Sequence, residues 1–390
     1  MHLALKSRWV CASILLSLLG AAPASAEVRA FVGATLLPIT GEPIAEGVLL
    51  VEEGKISALG PTDSVNVRHA GIQKAQAGGI TVANVMPGSG HLLSGQTVYI
   101  KLRDGSTVDD LAIRWEDGSV AGGMKMANGT NSRRDPPFPG TRGKSAALVR
   151  AAFVKAQDYR RKLEAAGDDA SKRPERDLGL EALLEVLDGK RVVHHHTHRH
   201  DDILTVLRLR EEFGFEVVLQ HVSEAWKVAD EIAQAQVPAS IIVIDAPGGK
   251  LEARDVSFEN GRALEAAGAL VGFHTDDWIT DSRLFLRSGG LAVRAGMSRA
   301  GALYGLTMAG ARMLRLDHRI GSLEPGKDAD FVVLSGDPLS VYTRVLQTWV
   351  EGEKVFDLDL DADRLIADGG YGAGTPRHQA LACLDDEVLR

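Results

Sequence analysis

The sequence predicts an α/β protein built around a parallel sheet, either a closed barrel or a doubly wound sheet. Three observations carry that expectation. The middle of the chain alternates β-branched runs with helical periodicity, both ends are rich in short strands and turns, and three central strands end in histidine or in histidine and aspartate. Repeated βα units place their strands parallel, because a helix makes each return crossing. The 390 residues, 45% hydrophobic and 25% charged, leave room for one large domain and a small accessory one.

Taken in order, residues 1–26 read as a secretory leader. Lys6 and Arg8 precede a mostly apolar run from Trp9 to Ala22, and Ala24-Ser25-Ala26 supplies the small-x-small ending. The run is shorter than the roughly 20 residues of a membrane-spanning helix, so no stable membrane anchor is expected. Cleavage after Ala26 predicts a periplasmic or secreted chain beginning at Glu27. Cys383 is then the sole cysteine, and the fold must hold without an internal disulfide. The formal charge of −8, or −10 once Lys6 and Arg8 are removed, argues against nucleic acid or an anionic membrane as partner.

Residues 27–62 carry a hairpin signal: Val48-Leu49-Leu50-Val51, a turn at 52–55, then Ile56-Ser57-Ala58-Leu59. Residues 319–360 repeat the style, with Asp330-Phe331-Val332-Val333-Leu334, a Gly-Asp-Pro turn at 336–338, and Thr348-Trp349-Val350. Between them, 63–318 should form the α/β body, and 361–390 a tail. Within the body, strands are expected at 80–85, 191–193, 216–220, 239–244 and 269–273. Helices are expected at 145–163, 203–213 (capped by Asp201 and Asp202, stopped by Gly214), 223–235, 259–267, 281–287 and 298–312. No G-x-G-x-x-G opens a helix after the first strand, which leaves a dinucleotide site without support.

The chemistry sits at three strand ends: His194-His195-His196-Thr197-His198-Arg199-His200, then His221, then His274-Thr275-Asp276-Asp277. Imidazole suits zinc and other first-row metals, and a carboxylate opposite can bind metal or take a proton from water. One histidine at a strand end is ordinarily structural; three strand ends of the same chemistry are not. Alternation turns His194, His196 and His198 to one face. Arg142, Lys144 and Arg199 are donors that could orient a substrate carboxylate or carbonyl.

With these motifs the chain resembles the amidohydrolase superfamily, in particular an exported branch similar to imidazolonepropionases. The landmarks are Gly47 to Ile56, Gly78-Gly79-Ile80-Thr81 with Pro87-Gly88-Ser89, Gly123-Met124-Lys125-Met126-Ala127, His196-Thr197-His198-Arg199 with Asp201-Asp202, Gln220-His221, and the tail signature Gly321 to Asp330. The resemblance implies a (β/α)8-type TIM barrel with a small β-sandwich assembled from both termini. It implies a divalent metal, zinc foremost, held by Lys125, His196, His221 and Asp276. Asp276 is then the general base, Lys125 a candidate for carboxylation, and His198 and Arg199 substrate contacts. The substrate class implied is a small amide, imide or dipeptide cleaved at a carbon–nitrogen bond, with homo-oligomerisation left open.

One landmark is absent. Relatives open the barrel with a strand ending in His-x-His, which should fall between the hairpin and Gly78. Residues 61–77 hold only His69, and 17 residues are too few for a βα unit, which takes roughly 30 or more with its second strand. The first βα unit is therefore expected to be missing. That absence favours a non-catalytic exported metal- or ligand-binding relative, while the retained His196, His221 and Asp276 favour a working hydrolase; a third reading, a histidine-rich metal buffer, rests on the five histidines within 194–200.

Overall fold

The structure, a computed structural model, describes residues 28–36, 44–52, 55–58, 62, 65–134, 138–242, 250–277 and 279–369. The leader expected at 1–26 and Cys383 lie outside these residues. The chain divides into two units, residues 1–59 and 60–390. In the first, β1 (Val28–Leu36), β2 (Ile44–Glu52) and β3 (Lys55–Ala58) form an antiparallel sheet in that order. β2 and β3 are the hairpin expected from the sequence, with Glu52 opposite Lys55.

The second unit runs α1 (Ala70–Ala77), β4 (Val82–Val85), β5 (Leu93–Gln96), β6 (Val98–Lys101), α2 (Val108–Leu111), β7 (Met124–Ala127), α3 (Thr130–Arg133) and α4 (Arg142–Ala166). It continues through α5 (Leu178–Leu187), β8 (Val193–Thr197), α6 (His200–Phe213), β9 (Val217–His221), α7 (Ala229–Gln234), β10 (Ala239–Ile241), α8 (Asn260–Ala267) and β11 (Val271–Phe273). It closes with α9 (Phe285–Arg294), α10 (Arg299–Leu306), α11 (Met308–Met313), β12 (Phe331–Leu334), β13 (Val345–Val350), β14 (Glu353–Asp357) and α12 (Asp361–Asp368).

One six-stranded sheet organises this unit, in the order β11-β10-β9-β8-β7-β5. β7 to β11 lie side by side in chain order and all parallel, while β5 runs antiparallel to β7. Every residue of β7 to β11 is buried, as expected of a parallel sheet covered by its crossover helices. Beneath the helices, Val193, Leu219, Ile241 and Phe273 pack in one core with Ile203, Val206 and Leu264. Phe153 of α4 is fully buried and stacks between Phe213 and Phe215, with ring centroids 4.9 and 5.3 Å away. α4 starts where the Thr141 hydroxyl accepts from Lys144 N, and α6 stops at Gly214, whose φ of 74° suits glycine.

The strand expected at 80–85 departs from the sequence reading. It forms β4, but pairs antiparallel with β6 in a separate two-stranded sheet. A parallel return needs a crossover of a dozen or more residues, usually a helix, and here the link from β4 to β6 carries only β5. The helix expected at 298–312 is likewise broken at Thr307, whose hydroxyl donates to Leu303 O.

β12, β13 and β14 form a third antiparallel sheet. The segment leading into it is tied to β6 by Lys101, which is 1% accessible. Its ammonium lies 2.7 Å from Asp330, 2.9 Å from Asp328 and 3.9 Å from Glu351. Among the described residues, no helix is long and apolar enough to cross a membrane.

Candidate metal centre

Parallel, in-register pairing brings the chemistry together. Lys125 stands opposite His194 across β7 and β8, Thr197 opposite His221 across β8 and β9, and Ile241 opposite both His221 and Phe273. The residues that leave these strands, His198, His274 and Asp276, therefore emerge at one edge, where α/β folds carry their sites. Gly122 and Gly123 let β7 enter this array. A Cβ at Gly122 would stand 1.8 Å from Thr97 O, and one at Gly123 2.5 Å from the His194 ring.

Four imidazoles cluster there. Ring centroids are 4.5 Å apart for His196 and His221, 4.7 Å for His196 and His198, 5.3 Å for His198 and His221, and 4.8 Å for His221 and His274. His198 and His221 each use one nitrogen for orientation and leave the other bare, whereas His274 is engaged at both. His198 Nδ1 meets Ser223 Oγ at 2.7 Å, and His221 Nδ1 meets His274 Nε2 at 2.9 Å, while His274 Nδ1 meets Ser240 Oγ at 2.8 Å. Nε2 of His198, Nε2 of His221 and both nitrogens of His196 are buried without a hydrogen-bond partner among the described residues. An unsatisfied buried polar atom costs about 1–3 kcal/mol. A ring fixed through one nitrogen and bare at the other is the arrangement in which imidazole ligates metal. His194, two residues lower on the same face, is engaged at both nitrogens by Tyr99 and Gln220.

The charge states agree with that donor set. Burial holds His196 and His221 well below the ordinary imidazole range, and pushes His198 down to about 4 and His274 to about 3. All are neutral at pH 7, the form that binds a cation. Lys125 is pushed down to about 8 by burial, against the opposing pull of Asp276. Asp276 stands at the lip with its side chain 48% accessible, 3.8 Å from His221 Nδ1. Lost hydration on its protein side raises its pKa, and the charge of Lys125 offsets part of that rise.

The backbone is strained at the same place. His221 (φ 73°), Val222 (φ 41°) and Asp276 (φ 46°) adopt left-handed conformations that cost about 1–3 kcal/mol each in non-glycine residues and gather at functional sites.

A carboxylate that the sequence did not single out completes the cluster. Glu252, 4% accessible, accepts through Oε2 from Thr130 N (2.6 Å), Thr130 Oγ1 (2.8 Å) and Arg142 Nη2 (3.3 Å), leaving Oε1 buried and bare. Ligand atoms of His196, His198 and Glu252 lie within 4.8 Å of one another. Arg142 also holds Asp202 at 2.7 Å, and burial raises the pKa of that carboxyl. Asp202 is thus a buried partner of Arg142 within α6, whose N-cap is Arg199.

Of the residues singled out by sequence, Lys125, His196, His198, His221 and Asp276 fall in this neighbourhood. The Arg199 guanidinium instead forks onto Asp201 at 3.0 and 2.7 Å. Sequence reasoning missed Glu252, Ser223 and Ser240. None carries a local signal, because each acquires its role through a partner on another element. His69 caps α1, accepting from Gly71 N at 3.0 Å, and His91 is exposed beside Arg134.

The model of the amidohydrolase family matches residues 92–356. The chain belongs to that family. An amidohydrolase from Thermotoga maritima MSB8 of known structure is 30% identical to this amidohydrolase, with a TM-score of 0.70, over 84% of this chain and 99% of its own. The amidohydrolase tasK of Hapsidospora irregularis is 27% identical over 314 residues, 73% of this chain and 31% of that protein. The chain thus spans about a third of the length of that relative. A parallel-rich α/β sheet and a hydrolase ancestry follow from the family, and its members are typically metal-dependent.

Proposed function

We propose that this amidohydrolase is exported and hydrolyses a carbon–nitrogen bond in a small amide, imide or dipeptide, using a divalent metal, zinc foremost. The observation that carries the reading is the set of buried, bare nitrogens on His196, His198 and His221, beside a lysine whose charge is disfavoured and a carboxylate at the lip. That donor set fits a first-row cation. Lys125, His196, His221 and Asp276 would hold it, Lys125 after carboxylation, since an ammonium cannot bind a cation and a carbamate can. Such an ion supplies a Lewis acid that polarises the scissile carbonyl and acidifies the attacking water.

The chain's own residues do the rest. Asp276, accessible and with a raised pKa, takes a proton from water and returns it to the leaving nitrogen. Ser240 and His274 orient His221, and Ser223 orients His198. His198 faces the substrate, whereas Arg199 is held by Asp201. On this reading the parallel sheet belongs to a (β/α)8-type barrel, the strand-rich ends to a small β-sandwich, and the first βα unit with its His-x-His is missing.

A second reading, a non-catalytic binding relative, draws on His69. It is the sole histidine in 61–77, and its Nδ1 is committed to capping α1. Metal analysis of the dialysed protein tests the first reading: His221→Ala should lower the zinc content by one ion per chain. An unchanged content refutes the assignment.

A further inference from the structure

Glu252 is built into the protein as a ligand rather than as a surface acid. Its carboxylate is pinned from one side only, by a backbone N–H, a hydroxyl and a guanidinium, all on Oε2. Gly129 makes this approach feasible, since a Cβ there would stand 2.5 Å from Oε2. Oε1 points where no described donor meets it, although the side chain is 2% accessible. A buried carboxylate oxygen gives up hydration, and nothing described on the protein returns it. One oxygen of this carboxylate lies within 4.8 Å of ring nitrogens of His196 and His198, and both rings carry buried, bare nitrogens. His198 offers Nε2 because Ser223 holds its Nδ1, and His196 offers either nitrogen.

We propose that His196, His198 and Glu252 form a divalent-cation site of their own, with Thr130, Arg142 and Ser223 as the residues that position the ligands. The site shares His196 with the set assigned above but does not use Lys125, His221 or Asp276. One carboxylate and two neutral imidazoles make an O/N donor set suited to zinc, cobalt or manganese. Donors about 2.1 Å from a tetrahedral ion stand roughly 3.4 Å apart. The observed separations of up to 4.8 Å therefore need a contraction of up to about 1.4 Å when an ion binds.

The test is zinc binding to the full chain after chelator stripping, by equilibrium dialysis with elemental analysis. Wild type is compared with Glu252→Gln, His198→Ala and His221→Ala. The glutamine keeps a carbonyl oxygen for Thr130 but loses the charge. The proposal expects Glu252→Gln and His198→Ala each to weaken one ion at least tenfold, while His221→Ala retains that ion. Melting of the stripped variants reports folding, and His198→Ala carries the test if Glu252→Gln does not fold. Zinc lost on His221→Ala but unaffected by the other two changes overturns this site and leaves the function proposed above standing. Zinc lost on both Glu252→Gln and His198→Ala, and kept on His221→Ala, does the reverse, and zinc lost on only one of those two, with both variants folded, overturns this site. One ion lost to all three changes overturns an independent site, and no bound zinc in wild type overturns both.

Discussion

Replacing Lys101 by methionine should cost the second unit about 3 kcal/mol. The ammonium is 1% accessible and sits between Asp330 (4% accessible) and Asp328 (21%), at 2.7 and 2.9 Å. Removing one partner of a buried ion pair typically costs about 3–5 kcal/mol, because the other charge stays behind without compensation. The lower end applies here. Asp328 keeps Arg319 at 2.9 Å, and Asp330 keeps the Glu351 N–H at 2.9 Å. For a domain of this size, at roughly 2 °C per kcal/mol, the melting midpoint should fall by about 6 °C. Burial works against ionisation of Asp328, but the hydrogen bond and charge of Lys101, with Arg319, outweigh it and hold its pKa below the usual range. A depressed carboxylate pKa contributes stability that is complete above the unfolded value and is lost as pH falls through the folded one. The Lys101→Met variant should therefore lose less stability than wild type on acidification below about pH 4. Thermal and urea melts at pH 7 and at about pH 2.5, with Lys101→Met/Asp330→Asn as the neutral double variant, measure all of this. The double variant should recover much of the loss. A single-variant cost below about 1 kcal/mol, or a double variant no better than the single, would refute the reasoning.

Other outcomes follow from the same structure. Phe153→Ala, which removes a ring stacked between Phe213 and Phe215, should destabilise by about 3–5 kcal/mol in urea melts, and a cost under 1 would mean the site collapses freely. Protein recovered from the periplasm of a bacterial host should have the mass of a chain starting at Glu27; retention of residues 1–26 would remove the case for export. On the proposed reading that the His-x-His pair is missing, catalysis should be poor, because Asp276 then lacks part of the setting that aligns water, and a misplacement of about 1 Å can cost roughly a hundredfold. Dipeptides, cyclic imides, lactones and organophosphates with added zinc, manganese or cobalt form the assay panel. Turnover within roughly 1–10³ s⁻¹, abolished by Asp276→Asn, would overturn that expectation.

The sequence by itself determined the class of fold, the hairpin expected at 48–59, the helices expected at 145–163 and 203–213, and the strand ends that carry histidine. Those features are local. Period-two and period-3.6 patterns, a Gly that stops a helix, and a histidine directly after an apolar run depend on neighbours a few residues away, so they can be read from the string. The tertiary structure alone decided which nitrogens are bare and which are bound, because Ser223, Ser240, His274 and Tyr99 reach their imidazole partners from other strands and turns. It also decided that β4 leaves the parallel sheet for β6. Above all it placed Glu252, 122 residues from Thr130 in the chain, with one oxygen clamped, the other bare, and the carboxylate within 4.8 Å of ligand atoms of His196 and His198. A lone glutamate between Leu251 and Ala253 has no periodicity or spacing to mark it. Its role is created by burial, which makes one unmet oxygen costly, and burial is a property of the packed chain.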